Sequence, residues 1–152
     1  MRKFVEQVYD EDLKNDGTFI VPKGFHINDR TFYLNCMGLK RVIFQEPAYG
    51  GLFNIWGPGY FKLTPNLREV IFLPESLVQI PLSIFAGCRS CHIDIYTPEY
   101  DVKAMKDAFE HIKKYRPSEF DLERISVLPL EAHKDYDKLV KTKSPDEGKG
   151  GK

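Results

Sequence analysis

No run of 18 apolar residues occurs in this chain, so no helix able to cross a bilayer is expected. The opening Met1-Arg-Lys-Phe-Val-Glu-Gln-Val-Tyr-Asp10 sets acids where a secretory leader needs an unbroken apolar stretch, so no export signal is read. An excess of one charge is missing too: 22 Lys and Arg balance 22 Asp and Glu, which removes the overall electrostatic footprint that nucleic acid or an anionic membrane would select. Cysteine is scarce, and three thiols without a leader point to reduced side chains and a cytoplasmic setting. Motifs for catalysis are absent: there is no Gly-x-Ser-x-Gly, no phosphate-binding glycine loop and no His-Glu-x-x-His. Neither an enzyme nor a bound cofactor is expected.

What the chain does contain is a repeat. Val21-Pro-Lys-Gly-Phe-His-Ile-Asn-Asp-Arg-Thr-Phe-Tyr-Leu-Asn-Cys36 returns, degenerately, as Phe72-Leu-Pro-Glu-Ser-Leu-Val-Gln-Ile-Pro-Leu-Ser-Ile-Phe-Ala-Gly-Cys88. In both copies a proline precedes the cysteine by 14 positions, and an aromatic, Tyr33 or Phe85, stands three before it. Prolines 22, 47, 74 and 98 fall at intervals of 25, 27 and 24 residues, within the window of leucine-rich repeats. Leu39-Lys-Arg-Val-Ile-Phe44 recurs as Leu67-Arg-Glu-Val-Ile-Phe72, a short strand burying Val42, Phe44, Val70 and Phe72. A third strand, Cys91-His-Ile-Asp-Ile-Tyr96, buries Ile93 and Ile95.

Proline, an apolar pair, Phe-x-Gly-Cys and then Leu-x-x-Val-x-Phe together resemble the bacterial surface-antigen (BspA-like) branch of the leucine-rich-repeat family, over residues 19–98. Ser83-Ile-Phe-Ala-Gly-Cys88 and Leu73-Pro-Glu-Ser-Leu77 carry the likeness most closely. The resemblance implies a curved solenoid whose strands form a binding sheet.

The expected fold is therefore α+β, a short leucine-rich-repeat solenoid of about three units in a single domain spanning 1–140. Residues 1–18, with Phe4, Val5, Val8, Tyr9 and Leu13, form an N-terminal cap ending in the turn Asn15-Asp-Gly17. Residues 19–98 are the repeats, and 99–140 the C-terminal cap, because one unit cannot cover its own apolar edge. Val102, Met105, Ala108, Phe109 and Ile112 recur at helical spacing, with Glu99 in the first turn and Lys113, Lys114 and Arg116 at the end, so a capping helix is predicted over 99–115. Ile125-Ser-Val-Leu128 reads as a further strand, and 141–152, lacking apolar residues, as a disordered tail.

Function is sought on the outward strand positions. Period-two alternation turns Arg41 and Ile43 outward beside Glu69 and Ile71, and His92 and Asp94 extend the row. Isoleucines flanked by opposite charges suit a protein-binding patch, so the expected function is non-catalytic binding of another protein by the open strand face. The competing expectation is that a cap or a second copy covers this face, making it core or a homo-oligomer interface. Trp56 and Tyr60 in the aromatic middle turn are further partner-binding candidates. Lys62 is the sole basic residue between Arg41 and Arg68, which argues against nucleic acid.

An alternative function rests on Cys88-Arg-Ser-Cys91-His92, which has the spacing of a c-type haem attachment or a cysteine-pair redox site. The repeat explains both cysteines without either: Cys88 occupies the small buried position of Cys36, and Cys91 that of Leu39.

Overall fold

In the computed structural model, residues 7–8, 13, 16–21, 33–34, 37–45, 61, 64–74, 85–88 and 92–141 are described. Seven strands result: β1 (Gln7–Val8), β2 (Thr18–Ile20), β3 (Tyr33–Leu34), β4 (Arg41–Phe44), β5 (Glu69–Phe72), β6 (Ile93–Thr97) and β7 (Ile125–Pro129). Two helices follow β6 and β7, α1 (Glu99–Tyr115) and the single turn α2 (Tyr136–Leu139). β1 and β3 form a small parallel pair, while β2-β4-β5-β6-β7 make a five-stranded sheet in which every neighbouring pair is parallel. The content is α+β, as expected, and each strand of the large sheet lies beside the one before it in that sheet's chain order.

Register follows the repeat. Val42 stands opposite Val70, and Phe44 opposite Phe72, whose rings stack with centroids 5.1 Å apart. Phe19, Val42, Val70, Ile95 and Val127 run level across all five strands and point into the main core. Ile93 and Ile95 are both buried, which bears out the register read for the third strand. α1 has the predicted bounds, and its stripe of Met105, Ala108, Phe109 and Ile112 packs on that same face. Burying one such side chain stabilises the fold by about 1.5–3 kcal/mol.

Two sheet strands flank those read from the repeat: Thr18–Ile20 before it and Ile125–Pro129 after it. α1 is thus a crossover between two paired strands and does not terminate the sheet. Its first residue lacks a conventional cap, since Pro98 offers no side-chain acceptor. The Glu131 carboxylate fills that place by accepting the Glu99 N–H at 3.0 Å, where the positive end of the helix favours an anion.

The turn before β2 depends on Gly17, at φ 81°. Its carbonyl accepts the N–H groups of Lys40 and Arg41, while a Cβ on it would lie 2.5 Å from the Gly38 oxygen. Glycine alone suits both the backbone angle and the close approach. Among the described residues no helix is long and apolar enough to cross a membrane. Most of the expected N-terminal cap, the middle turn with Trp56 and Tyr60, Cys36, Cys91 and the tail from 142 lie outside the described residues.

Candidate functional site

Alternation puts two rows on the second face of the sheet. Thr18, Arg41, Glu69, Asp94 and Ser126 stand level in one, and Ile20, Ile43, Ile71, Tyr96 and Leu128 in the next. The structure therefore brings together Arg41, Glu69 and Asp94, and pairs Ile43 with Ile71, as the sequence predicts. Arg41 Nε donates to Glu69 Oε1 at 2.9 Å, a half-buried ion pair across two strands.

The expectation that this face is open is overturned. Ile43 is 4% exposed and Ile71 not at all. After Pro129 the chain turns back, and residues 130–140 lie as a strap over the sheet. Leu130 and Leu139 close a second apolar cluster with Ile43, Ile71 and Leu73, to which Ile20, Tyr96 and Tyr136 add their sides. Removing this much apolar surface from water favours the covered state over the open one. The competing expectation, a cap over the strand face, is the one the fold realises. Ile43 and Ile71 accordingly present no surface to a partner while the strap is seated.

A polar clasp holds the strap. His133, with its side chain 1% exposed, points Nε2 at Glu69 Oε1 from 3.3 Å, and its Nδ1 accepts the Asp135 N–H at 2.9 Å. An acceptor at Nδ1 leaves the proton on Nε2, so the neutral imidazole donates to the carboxylate that Arg41 also addresses. The Tyr96 ring meets the imidazole edge-on at 4.5 Å. Burial raises the Tyr96 phenol above its ordinary 10.0, and the carboxylates of Asp94 and Glu69 push the same way. Leu130, His133, Tyr136 and Leu139 recur every third residue, a signal for the strap that the sequence reading passed over.

At the far end of the row His92 and Asp94 are accessible, with side-chain exposures of 47% and 39%. His92 Nε2 lies 2.8 Å from Ser126 Oγ and 3.4 Å from Asp94 Oδ1. Serine and aspartate thus address the same imidazole nitrogen, whereas a proton relay needs them on opposite ones. Among the described residues no three His, Cys, Asp or Glu side chains group as metal ligands. Cys88 packs half-buried against the main core, and the second thiol of its motif lies outside the described residues.

Among the described residues, no strand pairs with the outer side of β7. Asp94 N donates to Arg68 O, so Asp94 and Tyr96 turn their main chain to β5, and Ile93, Ile95 and Thr97 theirs to β7. At the observed register the parallel pattern directs Ser126 and Leu128 to β6 and leaves Ile125, Val127 and Pro129 facing outward. The Ile125 N–H is taken by the Leu122 carbonyl, and Pro129 has none. Val127 therefore carries the sole outward N–H of the strand, with no partner among the described residues. Beside this edge runs a groove of about 390 Å³, walled by Lys106, Phe109 and Glu110 of α1, by Leu122, and by Ile125 and Val127. In comparisons with known proteins, the chain matches no family model, no curated protein and no solved structure.

Proposed function

We propose that the chain is a short leucine-rich-repeat solenoid acting as a non-catalytic protein-binding module. Its accessible binding surface is the β7 edge with the groove that α1 forms beside it. One observation carries this reading: among the described residues β7 pairs only with β6, and beside its outer main chain runs a mostly apolar groove lined by Phe109, Leu122, Ile125 and Val127. An exposed strand edge binds extended main chain through hydrogen bonds, while side-chain pockets beside it confer selectivity. Parallel strands following one another along the chain support the repeat reading. The surface differs from the strand face of Arg41, Ile43, Glu69 and Ile71, which the strap occupies. Asp94 lies one strand in from β7 on the strap-bearing face of the sheet, and neither it nor His92 lines the groove.

The test is affinity capture followed by titration with the purified partner, comparing the natural chain with Lys106→Ala/Glu110→Ala. Both residues are exposed, so melting temperature should hold. Binding weakened at least about fivefold at equal stability supports the reading. Equal binding by both proteins overturns the groove as the surface.

A further inference from the structure

Resting on that reading of the β7 edge, we infer that its partner is a second copy of this chain, joined about a two-fold axis beside Val127. An isologous contact demands a surface complementary to itself, because each residue meets the reversed surface of its twin. Three features of the edge meet that demand.

The first is the hydrogen bonding. Two β7 strands brought together antiparallel, with Val127 opposite Val127, exchange two main-chain bonds, each N–H meeting the other's carbonyl. This register uses the outward donor of each strand. One step out, residue 125 faces residue 129; there the Ile125 N–H is already bonded to Leu122 O and Pro129 brings no N–H, so no donor is left stranded. The second feature is charge. Lys106 and Glu110 line the groove one helical turn apart. The two-fold axis sets the helices antiparallel, so Lys106 of one copy faces Glu110 of the other, twice over. The third is apolar: Leu122 and Ile125 of each copy, partly exposed at the groove, meet across the axis and are withdrawn from water.

Pairing this way yields one ten-stranded sheet with both α1 helices on the same face and leaves each strap undisturbed. A foreign extended peptide would meet the same main chain, but nothing in it would require the opposite charges of Lys106 and Glu110 to be placed symmetrically about the groove.

The experiment is sedimentation equilibrium on the full chain from micromolar to millimolar concentration, with amide exchange at Val127 followed by NMR. A monomer–dimer equilibrium is expected, the Val127 amide becoming protected as concentration rises. Lys106→Glu places like charges opposite each other and should weaken the dimer at least about tenfold, while Lys106→Glu/Glu110→Lys restores it to within about threefold. Equal melting temperatures of the dilute proteins exclude a folding defect. A chain monomeric at millimolar concentration overturns the inference, as does a dimer indifferent to Lys106→Glu in which the Val127 amide stays unprotected. If the chain is monomeric yet Lys106→Ala/Glu110→Ala loses a captured partner, the groove reading stands and only the second copy falls. If it is monomeric and capture is unchanged, both fall.

Discussion

His133 Nε2 and Glu69 Oε1 lie 3.3 Å apart across 64 residues of chain, and their bond fastens the last part of the fold to the middle of the sheet. The imidazole is buried, its side chain 1% exposed. Replacing His133 with Ala should cost about 2 kcal/mol, the loss of a hydrogen bond to a charged group. Urea denaturation measures it, and amide exchange should accelerate most over residues 130–140.

Changing Ile43 and Ile71 together to Ser now has a definite direction. Both side chains sit beneath Leu130 and Leu139, so the variant should lose at least about 3 kcal/mol of stability. An unchanged melting temperature would show that the strap does not rest on them.

Gly17→Ala forces a Cβ to within 2.5 Å of the Gly38 oxygen at φ 81°. The loss should be at least about 1 kcal/mol. Thermal unfolding at fixed pH reads it directly, with the β2–β4 amides opening first in hydrogen exchange.

Alkali should loosen the clasp. The folded state raises the Tyr96 pKa, so it prefers the neutral phenol: the resulting stability is whole below 10.0, the unfolded value, and is lost as pH climbs toward the higher folded one. Tyr96→Phe should flatten that decline. Stability curves of the two proteins from pH 8 to 11 decide it, and parallel slopes would sink the assignment.

Glu131→Ala removes the acceptor for the Glu99 N–H and the anion at the α1 N-terminus. About 1 kcal/mol should go with it. Glu131→Gln, keeping an acceptor without the charge, should recover part of the loss.

The strands of the repeat were legible because Leu-x-x-Val-x-Phe declares both its period and its buried side, and α1 was legible to the residue because its apolar stripe and its end charges agree. The edge strand Ile125–Pro129 was readable as a strand, but nothing local says that α1 would bring it back to β6. The strap escaped for a different reason. Its helix is only four residues long, and its leucines act in concert with Ile43 and Ile71, 59 to 96 residues earlier. Exposure of a strand face is a property of the whole chain, and alternation reveals only which residues share that face.

Because the strap follows β7 in the chain, the sheet is covered last. A nascent or proteolysed chain ending at Pro129 would hold every strand of the large sheet and still present Ile43, Ile71 and Leu73 to water. Such a product would be sticky in a way the finished protein is not, and the arrival of Leu139 marks the moment at which it can be released safely from any chaperone that shields it.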